Sequence, residues 1–315
     1  MDKEALAFVF PGQGSQKVGM LSDLANQYGQ VQETFAEASQ VLGYDLWELV
    51  QKGPQEQLNL TERTQPLLLA ASVAVWRVWQ AESGPVPGVL AGHSLGEWSA
   101  LVAADVVNFA DAVALVQRRG KLMQEAVPAG QGGMAAIIGL DDQQIIDACE
   151  RAAEGEVVSP VNFNSPGQVV IAGASAAVER ATALCKTAGA KRALALPVSA
   201  PFHTSLMKPA AEGLAPHIAD TEFRAPSIPV VHNVHARTES DPAAIRQLMI
   251  EQIYSPVRWV ECVQALVARG ASTTVECGPG KVLSGLNKRI DKTLSTMSME
   301  SPDEVQAVLQ QSRGE

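Results

Sequence analysis

A serine stands between two glycines in Gly92-His93-Ser94-Leu95-Gly96, after the apolar run Pro87-Gly88-Val89-Leu90-Ala91 and before Glu97-Trp98-Ser99-Ala100-Leu101-Val102-Ala103. That spacing puts a hydroxyl on a sharp turn from a short strand into a helix, the layout of a nucleophile elbow. Glycine at 92 and 96 suits a backbone that turns tightly and packs closely on its neighbours. The turn pushes the Ser94 Oγ out of the sheet edge and aims the Leu95 amide and the helix N-terminus at the space in front of it. Both favour an oxyanion growing on an acyl carbonyl. A serine that merely makes a turn is the alternative; the flanking apolar strand and helix favour the nucleophile.

A serine nucleophile needs a base, and the chain has five histidines. His93 is the neighbour of Ser94, so its side chain should point away from the hydroxyl. His217 falls within a helix and has no special company. His232 and His235 flank a strand end; three apart on a strand, they face opposite sides, which weakens a metal pair. His203, in Ser199-Ala200-Pro201-Phe202-His203-Thr204, lies where the chain leaves a small unit and enters a helix, at the mouth of an inferred cleft. Position alone favours His203 and leaves His232 and His235 open.

Arg119 is the second informative residue. Positions 112, 115, 116, 119, 122 and 123 form one stripe of a helix, apolar throughout except for Arg119. A guanidinium there is costly unless an anion meets it. That anion is either a core carboxylate or the carboxylate of a substrate, which the planar arginine fork fits better than lysine does. The loop Phe10-Pro11-Gly12-Gln13-Gly14-Ser15-Gln16 is glycine-rich but lacks the Gly-Lys-Ser/Thr ending of a phosphate loop. A backbone amide at Gln13 would instead join that of Leu95 as a second oxyanion donor.

The elements that must hold these groups read as α/β. A strand over 5–10, helices over 21–42 and 65–82, a strand over 88–91 and a helix from 95 imply a parallel sheet covered on both faces, with Ser94 at the carboxyl end of a strand. From about 132 the rhythm becomes strand, helix, strand, strand, helix, strand up to 198, the ferredoxin-like order. The α/β pattern then resumes with a helix over 203–218, a strand over 228–233, helices over 241–254 and 257–269, and a strand over 273–276. The fold class expected is therefore α/β: a hydrolase-like parallel-sheet large domain (1–130 and 200–315, discontinuous) with an inserted ferredoxin-like small domain (131–199). The cleft between them is the natural substrate site. Residues 301–315 read as a short amphipathic helix with a frayed end.

Composition excludes several function classes. The formal net charge of −10 argues against a nucleic-acid or anionic-membrane surface. An acidic ligand must find a local basic patch, for which Lys186, Lys191 and Arg192, or Lys281, Lys288 and Arg289, are candidates beside the plainer reading of solvated surface charge. Cys149, Cys185, Cys262 and Cys277 are scattered, without a Cys-x-x-Cys pair, and suggest reduced thiols in a cytoplasmic protein, not a zinc site or a disulfide framework. The opening residues lack the form of a signal peptide, and the most apolar stretch, 67–79, contains Arg77 and falls short of the roughly 20 residues that cross a bilayer. No metal or cofactor is called for, and no heptad run or long apolar edge suggests an obligate partner, so a monomer is expected.

Phe10-Pro11-Gly12-Gln13-Gly14-Ser15-Gln16, Gly92-His93-Ser94-Leu95-Gly96-Glu97, Arg119-Gly120, Pro201-Phe202-His203 and Glu276-Cys277-Gly278-Pro279-Gly280-Lys281 stand in the order and spacing of the malonyl-CoA:acyl carrier protein transacylase family, which the chain resembles over nearly its whole length. The resemblance implies Ser94 as nucleophile, His203 as general base and then acid, Arg119 as clamp for the malonyl carboxylate, and the amides of Gln13 and Leu95 as oxyanion hole. It implies that Gln252 orients His203 through its main-chain carbonyl, where a triad enzyme would use aspartate, and that Asn162 lines the cleft. Leu95, after the nucleophile, and Phe202, before the base, resemble the malonyl-selective pattern, in which a bulky aromatic leaves no room for a branched acyl group; other members carry serine at the Phe202 position. The partners implied are malonyl-CoA and holo acyl carrier protein, joined by a ping-pong cycle through a malonyl-serine ester.

Three rivals share some of these residues. A serine hydrolase, or an acyl hydrolase clearing stalled carrier proteins, would use Ser94 and a histidine but has no use for Arg119. A non-catalytic carrier-protein docking module has no reason to keep a buried arginine. Fatty-acid synthesis is the default pathway, and supply of a polyketide synthase in trans would leave the same residues.

Overall fold

The computed structural model describes residues 5–198 and 200–314. Residues 1–4, 199 and 315 lie outside it, and with them the terminal limits of the large domain and the last residue assigned to the small one.

The first strand, β1 (Leu6–Phe10), is apolar at every position and buried throughout, as a strand covered on both faces must be. It sits at the centre of a five-stranded parallel sheet, flanked by β2 (Val89–Gly92) on one side and β8 (Thr273–Glu276) on the other, with β7 (Val230–Val231) and β9 (Ser295–Ser298) at the edges. The register pairs Phe10 with Gly92. The loops that leave β1 and β2 therefore emerge side by side at the carboxyl edge, and the chain leaving β7 joins them from beyond β2.

One face is covered by the long helix Thr61–Ala81, which buries Phe8 under Trp76 and Trp79 at ring separations of 5.7 and 5.1 Å. This helix, with Gly29–Leu42, Leu95–Ala103, Phe109–Glu125 and Lys208–Ala219, builds the main apolar core. On the other face Trp259, Cys262, Val263 and Leu266 of the helix Trp259–Ala268 pack on Ala7, Val9, Val89 and Ala91.

Between these parts the chain forms β3 (Gly132–Ile138), a helix Asp142–Ala153, β4 (Val158–Ser165), β5 (Gln168–Ala174), a helix Ser175–Thr187 and β6 (Arg192–Ala195). The four strands make an antiparallel sheet in the order β4-β5-β3-β6, with its own core of Ile137, Ile145, Val169, Ile171 and Ala181. The edge strand β4 reaches the larger sheet's territory through Asn162, which bridges to Val257. Phe163 N–H donates to the Val257 carbonyl at 3.0 Å, and Val257 N–H to that of Val161 at 2.8 Å.

Several expected elements are shorter than the sequence suggests. The helix expected over 203–218 starts only at Lys208, because His203 has φ 63° and a single 3₁₀ turn, Ser205–Met207, intervenes. The strand expected over 228–233 keeps two residues; beyond it the chain turns back on itself, with Ala236 N–H on the His232 carbonyl and His232 N–H on that of Arg237. That turn also overrides the expectation that His232 and His235 face opposite ways, since their rings meet edge to face at 5.9 Å. No cluster of metal-ligating side chains occurs among the described residues, and no helix among them is long and apolar enough to cross a membrane.

Candidate active site

Ser94 sits between β2 and the helix Leu95–Ala103 with φ 51° and ψ −107°, a backbone conformation that an L-residue adopts only under constraint. The constraint is close packing. A Cβ at Gly92 would lie 2.0 Å from the Gly96 carbonyl, and one at Gly96 would lie 2.0 Å from the Phe10 oxygen, so only glycine lets the elbow close on β1. Asn233 completes the clamp: its Oδ1 accepts from the Ser94 N–H at 2.8 Å and its Nδ2 donates to the Gly92 carbonyl at 2.8 Å.

Strain at a serine is worth holding only if the hydroxyl meets something. Here the Ser94 Oγ lies 2.8 Å from His203 Nε2, and His203 Nδ1 lies 2.9 Å from the Gln252 carbonyl oxygen. A carbonyl only accepts, so Nδ1 carries the proton and Nε2 presents its lone pair to the serine. The ring is buried, and burial, reinforced by the Arg119 charge, pushes its pKa down to about 3 against the pull of the Gln252 hydrogen bond. The site therefore holds a neutral imidazole ready to take the serine proton.

Arg119 reaches this pair from the helix Phe109–Glu125, where it is fully buried, as its apolar stripe requires. Its Nη2 donates to the Ser94 Oγ at 3.3 Å and to Gln252 Oε1 at 3.0 Å, and its Nη1 donates to Gln65 Oε1 at 2.8 Å. Of the two partners considered for this arginine, a core carboxylate is absent from contact: both anchoring groups are neutral amides, and Nε has no partner among the described residues. Burial lowers the Arg119 pKa to about 10, with Glu97 pulling it back, so the guanidinium keeps its charge at neutral pH.

The remaining predicted residues fall around this centre. Leu95 begins the helix directly after Ser94, and Gln13 occupies the exposed turn after β1; neither backbone amide has an acceptor among the described residues. The two turns are held together by the His93 N–H on the Phe10 carbonyl at 3.0 Å. Phe202 is buried against the main core next to His203. Asn162 is buried on β4, at the bridge to Val257 that follows the 3₁₀ turn Gln252–Tyr254. His93 turns away from the hydroxyl as expected, with Nε2 2.8 Å from Asn164 Oδ1.

Sequence reasoning missed a second ring of polar side chains. The Glu97 carboxyl, buried at the first turn of the elbow helix, accepts from His232 Nδ1 at 2.7 Å, from Gln252 Nε2 at 2.6 Å and from the Asn233 N–H at 3.1 Å. Gln252 Nε2 also donates to the Ser94 carbonyl at 3.0 Å, so this one side chain ties the elbow, the carboxyl and the arginine together. Glu97 had one readable signal: it is the single charged residue in an otherwise largely apolar helix, the kind of burial that demands partners.

As chemistry, the arrangement offers an oriented hydroxyl, a neutral base, one free amide at a helix N-terminus and another on the turn after β1, and a buried cation 3.3 Å from the hydroxyl. That set suits transfer of an acyl group that carries its own carboxylate.

Comparison with known proteins agrees with this chemistry. Residues 7–308 match the family model described as acyl transferase domain. The Salmonella typhimurium malonyl CoA-acyl carrier protein transacylase is 62% identical over 305 residues, covering 97% of this chain and 99% of that one. The crystal structure of an acyl carrier protein S-malonyltransferase from Vibrio cholerae is 63% identical, with a TM-score of 0.95, over 96% of this chain and 99% of that one. A malonyl-transacylase solved in complex with a type II PKS acyl-carrier protein is 57% identical, with a TM-score of 0.96, over 97% of this chain and 99% of that one.

Proposed function

Because the chain belongs to the acyl transferase domain family, we propose that it moves the malonyl group from malonyl-CoA to the phosphopantetheine thiol of holo acyl carrier protein through an ester on Ser94. The observation that carries this reading is the buried Arg119, charged, held by amides alone and 3.3 Å from the Ser94 Oγ. In the first half-reaction the Ser94 Oγ attacks the thioester carbonyl while His203 Nε2 takes its proton, and the oxyanion is met by the amides of Gln13 and Leu95. The imidazolium returns the proton to the departing coenzyme A thiolate. In the second half His203 takes the proton of the phosphopantetheine thiol, whose sulfur attacks the malonyl ester, and Ser94 leaves with the proton restored.

Arg119 receives the malonyl carboxylate as a planar fork. The same contact tunes the base: the arginine charge is one of the causes holding His203 down, so a carboxylate laid on Arg119 relieves that restraint and makes the imidazole more basic once the correct acyl group is bound. The Gln252 carbonyl holds the ring, Phe202 shapes the acyl side of the cleft against a branched substituent, and Asn162 lines the cleft from the smaller sheet.

In this reading the antiparallel four-stranded unit is an inserted ferredoxin-like domain, 131–199, on a hydrolase-like domain made of 1–130 and 200–315. The protein works as a cytoplasmic monomer without cofactor, metal, nucleic acid or membrane. Lys191 and Arg192, exposed at and just before the edge strand β6, supply positive charge for an acidic carrier protein, whereas Lys281 is engaged by Glu304 at 2.5 Å. Fatty-acid synthesis is the pathway served. The likeness to a malonyl-transacylase bound to a type II PKS carrier protein supports delivery to a polyketide synthase as the second reading. A hydrolase would leave the buried arginine without a purpose.

The test is intact-protein mass spectrometry after mixing with malonyl-CoA, followed by holo acyl carrier protein. The wild type gains one malonyl group and passes it on; Ser94→Ala gains none. Loss of the acyl group to water faster than to the carrier protein would instead identify a hydrolase.

A further inference from the structure

Arg119 is surrounded in an unusual way for a buried cation. Both of its terminal nitrogens are met by amide oxygens, Gln65 Oε1 at 2.8 Å and Gln252 Oε1 at 3.0 Å, although a carboxyl lies one residue further on. That carboxyl is Glu97, and the Gln252 side chain stands between the two, Nε2 on Glu97 at 2.6 Å and Oε1 on the arginine. Glu97 in turn is held by His232 and by the Asn233 amide, so it does not swing toward Arg119. His232 Nε2 has no partner among the described residues, in keeping with a ring whose proton sits on Nδ1 and points at Glu97. A glutamate at 65 or 252 would occupy the volume of the glutamine and bind the same guanidinium more strongly. The structure uses the neutral amide in both places.

We propose that Gln65 and Gln252 determine carboxylate specificity as neutral spacers: they orient the Arg119 fork by hydrogen bonds while keeping every protein carboxylate off it, so that its charge is left for the substrate. This deepens the malonyl-transfer reading and rests on it. The physical basis is competition. An internal carboxylate on the fork would neutralise it before substrate arrives, and a malonyl group would then have to displace a partner already desolvated and in contact. An acetyl group, with no carboxylate, would be indifferent to that loss.

Gln65→Glu is the cleanest perturbation, because the atom it changes faces only the Met123 sulfur at 3.8 Å, while the oxygen on Arg119 is retained. The second variant, Glu97→Gln/Gln252→Glu, exchanges the two side chains and moves the carboxyl one place toward Arg119 at constant composition and charge. Single-turnover ester formation with malonyl-CoA and with acetyl-CoA, read by intact mass, gives the malonyl-to-acetyl rate ratio for each, with Arg119→Ala as benchmark. Folding is checked by the melting temperature.

The ratio should fall on the order of tenfold or more in Gln65→Glu and in the exchange variant, any loss common to both acyl groups cancelling in the ratio, while Glu97→Gln by itself keeps it. The spacer role is overturned if Arg119→Ala loses the preference but both carboxylate-bearing variants keep it. It is also overturned if Glu97→Gln alone lowers the ratio as far as the exchange does, since the effect would then follow from disturbing the network and not from where the carboxylate sits. If Arg119→Ala itself stays malonyl-selective, the error lies earlier, in the assignment of Arg119 to the substrate carboxylate.

Discussion

Replacing Arg119 with methionine should move stability and function in opposite directions. In the folded protein burial lowers the arginine pKa well below its ordinary value, to about 10, which amounts to roughly 3 kcal/mol of disfavoured charge. The sign follows from a cation whose folded pKa is depressed: below pH 10 both the folded and the unfolded chain carry the charge, so at neutral pH the native state bears the whole cost, which fades only as the pH rises above 10. Against this, Arg119→Met leaves Gln65 Oε1 and Gln252 Oε1 each short of one donor, about 1 kcal/mol apiece. The balance is a stabilisation of about 1 kcal/mol, seen in a chain of 315 residues as a rise in melting temperature of about 1.5 °C. Ester formation with malonyl-CoA loses two charge-assisted hydrogen bonds of about 1.5–3 kcal/mol each, a fall of roughly 10²–10⁴-fold, while acetyl-CoA is nearly unaffected. Thermal unfolding followed by circular dichroism and single-turnover mass spectrometry measure the two halves on one preparation. A variant that melts well below the wild type yet still prefers malonyl would refute the reasoning and make Arg119 a structural residue.

The His203 pKa of about 3, against an unfolded value near 6.5, makes the native state bind fewer protons than the unfolded chain between those limits, so stability present at neutral pH is lost as the pH falls through that window. Urea unfolding at pH 7 and pH 5 should show the wild type losing about 2 kcal/mol more than His203→Gln over that interval; equal losses would count against a buried neutral imidazole. For the same reason kcat/KM for malonyl-CoA should stay level through pH 6.5, where an ordinary histidine base would switch off, and a midpoint there would mean that the free enzyme's base is solvated. Gly96→Ala drives a Cβ to 2.0 Å from the Phe10 oxygen, a backbone contact that no rotamer relieves. It should cost on the order of 3 kcal/mol or more and abolish Ser94 acylation. A folded, acylating Gly96→Ala protein would show that the elbow does not need to close on β1.

What the sequence reveals and what it conceals divide along physical lines. The elbow is legible because two requirements coincide at it: glycine where backbones touch, and apolar runs of strand length and helix length on either side of Ser94. Arg119 is legible because a charge on an apolar helical stripe breaks the pattern that burial imposes. The His203 turn and the short β7 are misjudged for a common reason. Each is ended by a tertiary contact, His203 by its bond to the Gln252 carbonyl and the end of β7 by the Asn233 amide reaching Glu97, and no local propensity encodes a partner that lies 49 or 136 residues away. The edge strand β9 escapes because Ser295–Ser298 is polar and only half buried, lacking the apolar run that marks the inner strands. The spacing amides are the hardest to foresee. A glutamine at 65 or 252 is unremarkable in either helix and disturbs no periodicity, and its significance is a matter of what it is not. Only when Gln252 is seen lying between Glu97 and Arg119, with each end of its amide on one of them, does the choice of amide over carboxylate become a statement about the substrate: the site withholds its own negative charge from the arginine so that an incoming carboxylate can supply it.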